Sequence, residues 1–106
     1  MGYPWKHTVV LASANIKYRL STLMAAVDAA APVGTCTELT LQVDPEFTGT
    51  YVYIGEIGLT TSDWGDKILA TQVVTNRSRY NNVDVRNIYL MADAANALIG
   101  VSVTPG

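Results

Sequence analysis

The feature that most constrains this chain is a pair of alternating runs at its centre. In Thr35 to Glu56, TCTELTLQVDPEFTGTYVYIGE, Leu39, Leu41 and Val43 interleave with Glu38, Thr40 and Gln42. A period of two gives an extended segment one apolar and one polar face, which suits a half-buried strand and not a helix. Thr50, Val52 and Ile54 then alternate with Tyr51 and Tyr53, and the Asp44 to Gly49 insert carries the Pro and Gly of a reversing turn. The pattern predicts a β-hairpin at the centre of a small sheet protein.

Other strands follow from similar signals. His7 to Ala12 is dense in β-branched residues, which favour the pleated backbone. Lys67 to Thr75 reads as a strand or strand pair. Val83 to Met91 and Ala97 to Val103 read as two more, with Ala92 to Asn96 as the turn between them. One stretch breaks the period. Ile16, Leu20, Leu23, Met24 and Val27 fall on one helical stripe, alanines follow, and Pro32 with Gly34 stops the run. Asn15 or Ser21 could cap it, or residues 16 to 19 could form a strand leading into a short helix from Ser21; the short helix is preferred. The stripe is expected to be core. Six to eight strands with closely spaced turn signals and one short α-helix predict an all-β fold, a small β-sandwich or jelly roll.

With 106 residues, 49% of them hydrophobic, the chain suits one core and is too short for two. The expected organisation is an N-terminal arm, 1–6, and a single β-sandwich domain, 7–106. A net charge of -2 gives no drive toward phosphate backbones or anionic lipid, so neither nucleic acid nor membrane is an expected partner. No run approaches the roughly 18 apolar residues of a membrane span. The apolar run after Lys6 is too short for a secretion signal, and the single Cys36 fits a reducing compartment. Charged residues are only 15% against about 25% in ordinary soluble domains. A surface so thinly charged suits association.

Chemistry is sparse. His7 is the only histidine and Cys36 the only cysteine, too few for zinc, and the aspartates lack the spacing of a calcium loop. No phosphate loop, nucleophile elbow or metalloprotease motif occurs. The expectation is no enzyme and no cofactor. The residues most suited to contact are Tyr3 and Trp5 in the arm, Trp64 between Asp63 and Asp66, and Arg77, Arg79 and Tyr80 in the polar segment 76–82, since Trp, Tyr and Arg dominate interface energetics. Each has a plainer reading. Trp5 could cover its own core, Trp64 could anchor its loop or stack on a sugar, and 76–82 could be a solvated loop.

The runs Leu39 to Asp44, Thr48 to Gly55 and Arg86 to Ala97, LTLQVD, TGTYVYIG and RNIYLMADAANA, resemble those of small structural proteins of tailed bacteriophages. The chain departs from them at Gly65 to Ala70, where they often carry an acidic Pro-Gly turn, and in its alanine-rich helix. The resemblance implies a virion protein made in the host cytoplasm. As a capsid decoration or cement subunit it would contact the major capsid protein and other copies of itself, with a trimer the first expectation. The alternative is a tail, baseplate or host-recognition module that binds glycan through Trp64.

Overall fold

A computed structural model describes residues 5–43, 50–60, 62–69 and 77–105. Among these residues eight strands form in chain order: β1 Trp5–Leu11, β2 Tyr18–Arg19, β3 Thr35–Val43, β4 Tyr51–Gly55, β5 Asp66–Leu69, β6 Arg77–Asp84, β7 Tyr89–Ala92 and β8 Ala97–Pro105. Helix α1, Leu20–Val27, lies between β2 and β3, and a 3-10 turn at Val85–Asn87 separates β6 from β7. Two four-stranded sheets result, ordered β1-β8-β3-β6 and β2-β7-β4-β5, and every ladder is antiparallel.

The order has a simple origin. β1 pairs with β8, β2 with β7, β3 with β6 and β4 with β5, the pairs of one long ribbon folded back at residues 56–65. Rolling that ribbon lays β8 beside β3 and β7 beside β4. This is the jelly-roll form of the sandwich.

The interior is built by the predicted alternation. Val9 and Leu11 of β1, Leu39, Leu41 and Val43 of β3, and Ala97, Ile99, Val101 and Val103 of β8 are buried from one sheet. Val52 and Ile54 of β4, Ile68 of β5, and Leu90 and Ala92 of β7 join the same core from the other sheet. Each valine, leucine or isoleucine among them contributes roughly 1.5–3 kcal/mol by leaving water.

Four expectations are corrected. The central hairpin does not form: β3 and β4 lie in opposite sheets, and their apolar faces meet across the interior. Strand length explains this. Nine-residue β3 finds ladders of matching length in nine-residue β8 and eight-residue β6, while five-residue β4 takes the four-residue β5 and β7. The insert at 44–49, read as the hairpin turn, lies outside the described residues. Likewise 83–91 is no single strand, because the 3-10 turn carries the chain from one sheet to the other. Its cap is Asp84, whose side chain accepts from the Arg86 N–H at 2.9 Å.

The preferred short helix led by a strand is what forms, β2 Tyr18–Arg19 running into α1 at Leu20, but the stripe is not all core: Ile16 precedes the helix and is exposed, and Val27 at the other end is also exposed. Leu20 and Met24, one turn apart, carry the packing. Neither Asn15 nor Ser21 is the cap: Arg19 occupies that place and makes no side-chain capping bond.

Finally, the polar segment read as a solvated loop is mostly strand β6, an edge strand. Its solvent-facing parity tolerates arginine and asparagine, so polarity hid the extended backbone. At the other end of the chain, Trp5 and Lys6 belong to β1, paired with Val103 and Ser102.

Candidate interaction surface

The outer face of the β2-β7-β4-β5 sheet carries an unusual set of side chains. Alternation that sends Val52 and Ile54 inward sends Tyr51 and Tyr53 outward, and cross-strand register places Met91 and Lys67 beside Tyr53 and Arg19 beside Tyr89. Tyr53, Tyr89 and Met91 are nonetheless buried, because Leu59 from the β4–β5 loop covers them. The sandwich thus has a second, smaller apolar cluster on its outside.

The loop is held in place by its backbone. Gly65 N–H donates to the Ile54 carbonyl at 2.8 Å, Leu59 N–H to Glu56 O at 3.0 Å, and Thr60 N–H to Asp63 O at 2.9 Å. The Thr60 hydroxyl oxygen accepts from the amides of Ser62 and Asp63. Glycine eases the closure of the loop on the strand: a Cβ at Gly55 would press to 3.1 Å from Leu59 Cδ1, and one at Gly65 to 3.3 Å from Ile54 O. With Leu59 turned in, Ile57 is left 65% exposed and Trp64 43% exposed. Leu59, and not Trp64, is the loop's buried anchor.

Cations sit on the rings. Lys67 Nζ lies 4.2, 5.2 and 5.7 Å from the ring centres of Tyr51, Tyr53 and Trp64, within the range where a ring quadrupole attracts positive charge. Arg19 donates to the Tyr89 hydroxyl oxygen from Nε at 2.8 Å and from Nη2 at 2.6 Å. Lys17 Nζ approaches the same ring to 5.4 Å and donates to the Ile57 carbonyl. Among the described residues, none of these three cations has a carboxylate partner, whereas Arg79 pairs with Glu38 and Arg86 with Asp84.

The residues expected at contacts do not converge. Trp5 packs on its own core and its indole N–H donates to Asp28 Oδ2 at 3.0 Å, with the His7 ring 4.5 Å away. Arg77 pairs in register with Gln42. Arg79 lies 3.7 Å from Glu38, both exposed, and the Tyr80 hydroxyl donates to Asp66 Oδ2 at 3.1 Å. Tyr3 is outside the described residues. Trp64 alone belongs to the outer-sheet face, tilted at 53° to Tyr53 and beside a cleft of about 340 Å³ lined also by Glu56 and Asp63. Lys17, Arg19, Tyr51, Tyr53, Lys67 and Tyr89 escape sequence reasoning as a group. The tyrosines at alternate positions 51 and 53 were the available signal.

Electrostatics elsewhere are structural. The Arg86 guanidinium holds the Asp84 carboxyl down at about 2. Asp28 is lowered first by the Trp5 indole N–H and then by the Ala30 amide, with His7 adding a smaller pull. Burial pushes the Cys36 thiol up. Among the described residues no group of His, Cys, Asp and Glu is placed to hold a metal ion, and no helix is long and apolar enough to cross a membrane.

No protein-family model matches the chain, and no curated protein matches it. Among the solved structures that are similar is one from Bacillus endospore appendages described as a novel family of disulfide-linked pili, at a TM-score of 0.42 and 13% identity over 98% of this chain and 88% of that one. A likeness so distant argues nothing about function. The jelly roll stands on its own ladders.

Proposed function

We propose that the chain is a structural virion protein of a tailed phage, a decoration or cement subunit that stabilises the head by contacts with the major capsid protein and with other copies of itself. The observation that carries the assembly reading is the exposure of large apolar side chains, Ile16 at 51%, Ile57 at 65% and Trp64 at 43%. Exposed apolar groups rimmed by polar ones mark association surfaces. The phage setting rests on the resemblance of the strand segments. Reinforcement would come from burying this rim at seams of a shell, each interface of standard size covering about 1,600 Å². Repetition around the shell turns modest affinities into firm attachment.

A second reading has its own observation. The cleft beside Trp64 joins a half-exposed indole to the carboxylates of Glu56 and Asp63, groups suited to a sugar ring and its hydroxyls, as a host-recognition module would need. Copy number per particle tests the two. Hundreds of copies support the decoration reading, and tens or fewer support the tail reading. Absence from particles overturns both. Glycan-array binding that disappears in Trp64→Ala supports recognition over cement.

A further inference from the structure

Two positive charges share one tyrosine ring without a counter-charge. The Arg19 guanidinium carbon is 5.3 Å and Lys17 Nζ 5.4 Å from the centre of Tyr89, and neither cation has a carboxylate partner among the described residues. The Tyr89 hydroxyl holds Arg19 and the Ile57 carbonyl holds Lys17, which lowers the ordering cost when a ligand arrives. Neither cation has a carboxylate counter-charge among the described residues, and an incoming anion would supply one. The position favours an incoming carboxylate, to which the guanidinium can donate from its Nη1 side, Nε and Nη2 being engaged by the Tyr89 hydroxyl.

The surroundings narrow the source. Ile16 precedes Lys17 in the chain, and Ile57 supplies the carbonyl that Lys17 Nζ holds; both isoleucines are exposed. An acidic polysaccharide would neutralise the cations and leave two isoleucine side chains in water. A polypeptide that alternates acidic and apolar residues answers both needs, charge to charge and apolar to apolar. We propose that Lys17, Arg19 and Tyr89, flanked by Ile16 and Ile57, dock a carboxylate-bearing apolar segment of a partner polypeptide. The inference rests on the assembly reading and names the chemistry of the partner at that surface.

The test uses the intact chain, amide NMR and three probes: a peptide alternating glutamate with isoleucine, its glutamine counterpart, and a trimer of galacturonic acid. The expected result is saturable shifts at the amides of Lys17, Arg19, Ile57 and Tyr89 with the glutamate peptide. The glutamine peptide is expected to bind about tenfold more weakly, a difference of about 1.4 kcal/mol. Lys17→Gln is expected to weaken the glutamate peptide by a similar factor, and its spectrum reports directly whether the fold is kept. Arg19→Gln provides the second arm. Equal binding of the two peptides, shifts at another face, equal or tighter binding of the uronate trimer, or no binding at all would each overturn the inference. Because the peptides are tested on the isolated chain, failure here leaves the assembly reading to be decided separately by the particle copy number.

Discussion

Lys67 Nζ stands 4.2 Å above the ring of Tyr51, and the pair joins edge strand β5 to its neighbour β4 on the outer face of the sheet. The same ammonium faces Tyr53 and Trp64, so one charge ties a four-residue strand and a loop to the sheet. Replacing it with methionine keeps the length and removes the charge. Lys67→Met is expected to lower stability by about 0.5–1 kcal/mol, read as a shift in the urea midpoint at unchanged slope. Lys67→Arg, which keeps the cation, is expected to lose less.

Leu59 carries the loop. Buried on Tyr53, Tyr89 and Met91, it is expected to cost about 2 kcal/mol when cut to alanine, at the low end for buried leucine because a surface loop can settle into the space. Hydrogen exchange localises the effect. The amides of Leu59 and Gly65, which close the loop, are expected to lose protection in Leu59→Ala while those of β3 and β8 keep theirs.

Gly55 and Leu59 are coupled by contact. A methyl at Gly55 would press to 3.1 Å from Leu59 Cδ1, so Gly55→Ala is expected to cost about 1 kcal/mol by overpacking. In a Leu59→Ala background the pressing atom is gone and the cost disappears. A double-mutant cycle by chemical denaturation is expected to show the two changes costing less together than their separate costs, by about 0.5–1 kcal/mol.

Acid stability follows Asp84. Its carboxyl sits at about 2 in the folded chain against an ordinary value of 3.8, because of Arg86. A lowered folded value means that the contribution is fully present above the ordinary value and is lost as pH falls from about 4 toward 2. Asp28 acts in the same direction through Trp5 and Ala30. Asp84→Asn is expected to flatten the fall in melting temperature over that window, and carboxyl NMR titration gives the folded value directly.

Much of the fold was legible from local pattern. Leu39, Leu41 and Val43, or Ile99, Val101 and Val103, announce strands because one face of each must leave water. Which strand lies beside which was hidden, since β3 and β4 have the same alternation whether they pair in one sheet or face each other across two. Ladder length decided that, and length depends on residues far apart in the chain. The contact surface was less legible. Trp64 was visible as a large exposed-type residue in a loop, but Lys17 with Arg19, Lys67, and Tyr89 come from three separate segments that the roll of the ribbon brings to one sheet. Trp5 and Tyr80, conspicuous as aromatic residues, instead make hydrogen bonds to Asp28 and Asp66 of the same chain.

Attachment through the exposed isoleucines is tested most directly by adding purified subunit back to particles stripped of it, comparing wild type with the Ile16→Asp, Ile57→Asp double variant. Both side chains are exposed, so circular dichroism and melting of the isolated variant are expected to match wild type. Wild type is predicted to reach saturating occupancy, and the variant to lose at least about tenfold in affinity, the equivalent of about 1.4 kcal/mol. A folded variant that fills the particles as well as wild type would contradict attachment by this face.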